Sequence, residues 1–230
     1  MITAIIYFID GLILLIFCYK LYHSVSGKIT KNPFTFYFLW ALFFPAVNAF
    51  YSAICITIAI IYPTFISLSL INVTARTLFY IGSIFAVQIP LYKYFPKSRW
   101  RYVFSYMFGA VGVALTIYHI VAVSSVPAIG ENGIVNWQTD TILNIGMAIL
   151  VIGPWLASSV IFILEFIRSK FRLTKSLFLG VGFLLVCVGA VFQNSSGPLF
   201  TQFWYVFFSV ILMVGWLFTL AGMFYEAENK

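Results

Sequence analysis

The chain has 230 residues, of which 63% are hydrophobic and only 8% are charged. A soluble domain typically carries about 25% charged residues, so this composition excludes an ordinary soluble fold and indicates that the lipid bilayer is the solvent. The formal net charge of +7 does not favour nucleic acid. The basic residues lie in short connections beside apolar segments, where anionic lipid headgroups are the nearer partner.

Seven stretches are apolar and long enough to cross a hydrocarbon layer of about 30 Å as helices. We predict an all-α, polytopic integral membrane protein, a single seven-helix domain over residues 1–230, with helices near 2–22, 34–61, 65–92, 102–123, 141–167, 177–192 and 200–225. The first segment lacks the basic start of a signal peptide and is expected to remain as a helix. Pro45 and Pro154 predict kinks in the second and fifth segments.

The basic residues predict the orientation of the chain. Among the thirteen Lys and Arg residues, only Arg76 lies well inside an apolar segment. The others lie in or beside alternate connections, or at the C-terminus: Lys20, Lys28 and Lys31, then Lys93, Lys97, Arg99 and Arg101, then Arg168, Lys170, Arg172 and Lys175, and Lys230. Because positive charge stays on the cytoplasmic side, we predict a plasma-membrane protein with Met1 outside, Lys230 in the cytoplasm and anionic lipids at the cytoplasmic face.

Two ionisable residues lie deep within the predicted spans. A charge at mid-bilayer costs at least about 2.5–3.5 kcal/mol on insertion scales, so Asp10 and Arg76 need a physical reason to be there. At a rise of about 1.5 Å per residue, Asp10 lies about 12 Å and Arg76 about 16 Å from the outer ends of their helices. If the first and third helices are neighbours, this similar depth predicts that the two charges pair.

Further polar residues lie near these two charges. Asn48 on the second segment comes to a similar depth, and Asn72, Arg76 and Tyr80 share one face of the third segment at a spacing of four residues. One interpretation is a ligand-binding site in which Arg76 receives an anionic group, Asp10, Asn48 and Asn72 orient it, and Tyr80 lies on the same face. The other is a structural ion pair that holds three helices in register.

No pattern in the sequence favours catalysis. A transition-metal site needs three or four clustered ligands, and the predicted topology places His23 and His119 near opposite membrane faces. A Gly-x-Ser-x-Gly elbow, which would indicate a serine hydrolase, does not occur. We therefore expect no enzymatic activity and no metal site, and the sequence identifies no cofactor.

The predicted topology resembles that of microbial rhodopsins, of receptors coupled to G proteins and of sugar transporters with three-plus-one-plus-three helices. The resemblance to rhodopsins implies a retinal-binding lysine on the seventh helix, but residues 200–225 contain none, which excludes a retinal Schiff base. The sugar transporters carry prolines in their first, second, fifth and sixth helices, and only Pro45 and Pro154 match. The chain also resembles the seven-helix sensor modules of bacterial histidine kinases.

Two functions are compatible with this pattern. The first is a non-enzymatic membrane binding or scaffold protein, either a sensor-like module or an accessory subunit of a membrane assembly that works through another membrane protein. The second is a small-solute transporter with a polar site around Arg76 near the membrane midplane. The sequence predicts no nucleic-acid partner.

Overall fold

The computed structural model describes residues 1–25, 33–62, 67–122, 128–129, 134–137, 140–170, 173–193 and 202–224. Within these ranges the chain is helical apart from one short antiparallel pair of strands, and seven helices are long and apolar enough to cross a membrane. The prediction of a helical fold with seven helices long and apolar enough to cross a membrane is confirmed. The basic residues Lys28, Lys31, Arg172 and Lys230 lie outside the described residues, and the membrane side of each terminus stays a prediction.

The helices closely follow the apolar segments. They are α1 (Ile2–Val25), α2 (Pro33–Ile61), α3 (Leu68–Ala86), α4 (Gln88–Tyr94), α5 (Trp100–Ala122), α6 (Thr141–Met147), a π-helix (Ala148–Ile152), α7 (Gly153–Arg168), α8 (Thr174–Gln193) and α9 (Gln202–Phe224). The third span comprises α3 and α4, and the fifth comprises α6, the π-helix and α7. The predicted bounds agree with these to within three residues at each end.

The described chain forms two compact units, with residues Met1–Val151 in unit 1 and Ile152–Lys230 in unit 2. The boundary falls inside the fifth span, at the π-helix that precedes Pro154. Proline has no N–H to donate to the carbonyl four residues earlier, so the helix loses one backbone hydrogen bond at Pro154, and a π-helix lies where that bond is missing. By contrast, α2 continues through Pro45 without a break in its helical assignment.

One face of α1 packs into unit 1. Its buried side chains recur every three or four residues, the spacing of one helical face: Ile6, Asp10, Leu14, Phe17 and Leu21. The opposite face carries exposed apolar side chains such as Phe8 and Leu12. Gly11 allows the close approach of α2, because a Cβ there would lie 2.8 Å from the ring of Phe50.

At one end of unit 1, a short segment covers the helix ends. Strand β1 (Ala128–Ile129) pairs with β2 (Val135–Asn136) in antiparallel register. The buried side chains of Val135 and Trp137 pack against residues of α1, α2 and α3, namely Ala4, Cys55, Ile56, Ala59 and Ile71. We call residues Ile134–Trp137 the cap segment and this end of unit 1 the capped end.

At the opposite end of unit 1 lies a corner between α4 and α5, which we call the basic corner, residues Gln88–Tyr102. The buried side chain of Gln88 donates to the Arg101 carbonyl oxygen at 2.7 Å and to the Ser105 hydroxyl. These bonds join the end of the third span to the start of α5. The start of α2 lies beside the same corner, where the Tyr37 and Tyr92 rings are 6.3 Å apart.

In unit 2, α8 and α9 pack backbone against backbone. A Cβ on Gly215 would lie 2.7 Å from the Val186 amide nitrogen and 2.9 Å from the Gly182 carbonyl oxygen. On α8, a Cβ on Gly189 would lie 2.7 Å from the Leu212 amide nitrogen. Small residues of this kind are what allows membrane helices to approach closely. The Ser159 hydroxyl on α7 donates to the Gly180 carbonyl oxygen at 2.7 Å and joins α7 to the same pair.

Candidate functional site

The candidate site is a group of buried polar side chains in unit 1, and Arg76 is its main charge. Arg76 lies near the middle of α3 and is only 8% exposed. Its Nε donates to the Asn72 Oδ1 at 3.1 Å, and its Nη1 makes a long contact of 3.5 Å with the Leu143 carbonyl oxygen on α6. Both acceptors are neutral, and no carboxylate among the described residues pairs with Arg76. Among the described residues, the Arg76 guanidinium therefore has no carboxylate as a countercharge.

The polar face of α3 continues one turn beyond Arg76. Tyr80 is buried and lies within electrostatic reach of the guanidinium, but its hydroxyl has no hydrogen-bond partner of good geometry among the described residues. Ser83, which follows on the same face, donates to the Tyr80 carbonyl oxygen at 2.6 Å. Gly112 on α5 allows the Tyr80 side chain to pack closely, since a Cβ there would lie 3.1 Å from the Tyr80 Cβ.

Asp10 is buried on α1 with 3% of its surface exposed. Its Oδ1 has no hydrogen-bond partner among the described residues, and no ion pair joins it to Arg76. Equal depth along the helices is therefore not sufficient for an ion pair between Asp10 and Arg76. The rotation of each helix about its axis must also direct the two side chains towards each other. Tyr7 lies within electrostatic reach of both Asp10 and Arg76.

Asn48 on α2 is buried and accepts a hydrogen bond of 3.4 Å from the Ser52 hydroxyl one turn later. The structure shows no hydrogen bond between Asn48 and Arg76. Three of the five predicted site residues thus lie together along α3, each in contact with Arg76 or within its electrostatic reach: Asn72, Arg76 itself and Tyr80. Asp10 is linked to them through Tyr7, and Asn48 is buried on α2 with only its local partner.

Three contributors to this site were not predicted from the sequence. Tyr7 lies three residues before Asp10 on the same helical face, a spacing that could have identified it. His119 is buried near the end of α5, and the charge of Arg76 acts on its ring. Trp137 of the cap segment donates its indole N–H to the Tyr7 hydroxyl. No periodic signal marks a loop residue of this kind, so sequence patterns could not place it.

The cap segment is tied to the first helix by its backbone. The Val135 amide donates to the Thr3 hydroxyl oxygen at 3.0 Å, and Thr3 is fully buried.

Thr3→Val keeps the shape but removes this acceptor, and a buried N–H without a partner costs about 1–3 kcal/mol. We expect faster hydrogen exchange at the Val135 amide and a lower free energy of unfolding. Thr77→Val, which removes a hydroxyl that bonds within α3 and to Thr116, should leave exchange at Val135 unchanged.

The polar site is joined to α6 as well as to α3. Asp140 caps the start of α6 by accepting from the Ile142 amide at 2.7 Å, and it also accepts from the Tyr118 hydroxyl at 3.4 Å. The cap fixes the first turn of α6, which carries Leu143, whose carbonyl oxygen faces Arg76.

Among the described residues, no three His, Cys, Asp or Glu side chains lie close enough together to hold a metal ion.

The described residues form seven helices that are long and apolar enough to cross a membrane, and a buried polar site in which Arg76 has no carboxylate partner among these residues. Comparison with the models of known protein families, with curated proteins and with solved structures finds no match to this chain. The assignment of a function therefore depends on the chemistry of the site.

Proposed function

We propose that this chain is a non-enzymatic, receptor-like binding protein of the cell membrane that takes a small organic anion at Arg76. In the proposed orientation Met1 and the capped end face outward, and the ligand enters from that side. The binding protein acts as a sensor-like module or accessory subunit and passes the bound state to another membrane protein.

The observation that carries this proposal is that Arg76 has no carboxylate partner among the described residues. A charge deep in a membrane protein is costly and usually pairs with another group or marks a ligand pathway. The described groups beside Arg76 are the neutral acceptors of Asn72 and Leu143 and the neutral phenol of Tyr80. A carboxylate supplied by a ligand would provide the missing charge, and arginine is suited to carboxylates because its planar group donates two parallel hydrogen bonds.

The groups beside Arg76 indicate the rest of the ligand. The Asp10 Oδ1 is buried and has no hydrogen-bond partner among the described residues, and the Tyr80 hydroxyl has only its contact with Arg76. Buried polar groups are normally hydrogen-bonded. A small anion that also carries a hydroxyl or amino group would provide a donor for Asp10 while its carboxylate pairs with Arg76. Because the site is enclosed, its binding requires the cap segment or a neighbouring side chain to move.

The test combines ligand binding with a substitution that supplies the missing charge internally. In the purified protein, lactate or glycolate, each a carboxylate with a hydroxyl group, should raise the unfolding temperature, because a ligand that binds only the folded state stabilises it. Chloride at matched ionic strength is the reference. Asn72→Asp places a carboxylate where Arg76 Nε now donates to an amide. A charged pair should add about 1–2 kcal/mol of stability and abolish the response to the organic anions.

Asn48→Asp is the matched control, because Asn48 is equally buried but does not contact Arg76. It introduces an unpaired carboxylate and should lower the unfolding temperature. If no organic anion stabilises the wild-type protein, or if Asn72→Asp keeps the full response, the proposed site is wrong.

A transporter is the second candidate, and the interrupted fifth span favours it. Breaks in membrane helices near a polar site are typical of transporters, and the π-helix before Pro154 is such a break. Uptake of the best-binding labelled anion into proteoliposomes distinguishes the two functions. A binding protein retains the anion without net transport, whereas a transporter accumulates it and loses uptake with Arg76→Met.

A further inference from the structure

The basic corner concentrates positive charge at one end of unit 1. Four cations fall within nine residues, Lys93, Lys97, Arg99 and Arg101, and the sequence contains no Asp or Glu between Asp10 and Glu131. Lys97 and Arg99 are exposed. No carboxylate close in the sequence accompanies this group of cations.

Arg101 is the ordered centre of this corner. Its guanidinium carbon lies 4.7 Å from the centre of the Tyr102 ring and 5.2 Å from that of the Tyr92 ring. Its Nη2 donates to the Tyr102 hydroxyl at 2.7 Å. Contacts of this kind are cation–π interactions that fix the plane of the guanidinium. The positively charged group is thus held in place at the start of α5 rather than extended freely into solvent.

Two N–H donors of the Arg101 guanidinium are available for a further acceptor. The Arg101 Nε and Nη1 atoms are buried, and neither has a hydrogen-bond partner among the described residues. The Tyr37 phenol lies within electrostatic reach of Arg101, Tyr92 and Tyr102. Since buried donors are rarely left unsatisfied, the arrangement has capacity for an acceptor with several oxygen atoms. Rotation of the partly exposed Tyr102 ring would admit one.

The surrounding side chains place the corner at the level of lipid headgroups. Trp100 is 68% exposed, and Tyr94, Phe95 and Tyr106 are exposed around it. Trp and Tyr are enriched at membrane–water interfaces because they combine an apolar ring with a polar group. An acceptor at this depth is a headgroup oxygen, and the phosphate of a phospholipid offers several in the geometry that arginine prefers.

We infer that Arg101, held between Tyr92 and Tyr102, is a binding site for the phosphate of an anionic phospholipid. This site is separate from the Arg76 site and does not depend on the function proposed for it. Lys97 and Arg99 attract anionic lipid to the corner by charge alone. Arg101 recognises the headgroup through directed hydrogen bonds.

The experiment measures lipid retention by the full chain. Protein from nanodiscs that contain phosphatidylcholine with a minor fraction of phosphatidylglycerol is released into mild detergent, and the retained lipid is counted by native mass spectrometry. The wild-type protein should retain phosphatidylglycerol in preference to phosphatidylcholine. Arg101→Lys keeps the charge but loses the planar donors, and it should reduce retention about tenfold, the equivalent of one good charged hydrogen bond.

Arg99→Lys is the matched control and should retain lipid as the wild type does, because Arg99 is exposed and contributes only charge. Equal retention by wild type, Arg101→Lys and Arg99→Lys would show unspecific attraction and overturn the site. Arg101→Gln with normal retention would also overturn it. If inorganic phosphate in the buffer displaces the bound lipid at low millimolar concentration, the assignment to a lipid headgroup is wrong.

Discussion

Gly215→Ala is expected to lower the free energy of unfolding by about 1–3 kcal/mol or more, the usual cost of overpacking a core. The added methyl group would lie 2.7 Å from the Val186 amide nitrogen and 2.9 Å from the Gly182 carbonyl oxygen. Both are backbone atoms of α8, so neither can rotate away as the end of a side chain could. The helices α8 and α9 would have to separate, and contacts along their whole interface would be lost.

Thermal unfolding in detergent or in nanodiscs measures this effect, and Gly109→Ala on α5 is the matched control. A methyl group at Gly109 meets only the Ile84 Cδ1, at 3.4 Å. Since alanine is favoured over glycine inside a helix by about 0.5–1 kcal/mol, the control should be neutral or stabilising. Equal unfolding temperatures for the two variants would contradict the backbone contact between α8 and α9.

Asp10→Leu is expected to have the opposite effect to Gly215→Ala and to raise the free energy of unfolding by about 1–3 kcal/mol. Insertion scales assign Asp about +2.5 to +3.5 kcal/mol and Leu about −0.3 to −0.6 kcal/mol at the centre of a span. Asp10 gains little in return, because its Oδ1 has no hydrogen-bond partner among the described residues and no ion pair with Arg76 is formed. Leucine fits the buried face that Ile6 and Leu14 already occupy.

The same substitution at the start of α6 serves as the control. Asp140→Leu removes the acceptor of the Ile142 amide, and loss of a helix N-cap costs about 1 kcal/mol. Opposite changes in unfolding temperature at the two positions would show that Asp10 is retained at the expense of stability, as functional residues often are. Destabilisation by Asp10→Leu would instead show that the carboxylate has a structural partner.

The helices could be predicted from the sequence because the length of each apolar run determines them. A run of about 20 apolar residues has to form a helix in lipid, since no water is present to satisfy its backbone. The π-helix was not predicted as such, although Pro154 indicated that the fifth span could not be regular. The strands of two residues each carry too short a pattern to be recognised.

The candidate site could be predicted only in part. The spacing of Asn72, Arg76 and Tyr80 fixes their common face, because all three lie on one helix. Counting residues gives the depth of Asp10 and Arg76, but the rotation of each helix about its axis depends on tertiary packing. For this reason the sequence predicted a direct ion pair that the structure does not show, although Tyr7 lies within electrostatic reach of both Asp10 and Arg76. Contacts with the cap segment depend on residues more than one hundred positions away.

The bond between Thr3 and Val135 joins positions that are 132 residues apart. During synthesis, Val135 leaves the ribosome only after the first four membrane-spanning helices have been made. The helix that contains Thr3 therefore cannot form this hydrogen bond until the residues up to Val135 have been made. Until then α1 lacks this hydrogen bond, and the polar site is complete only after the cap segment has been made.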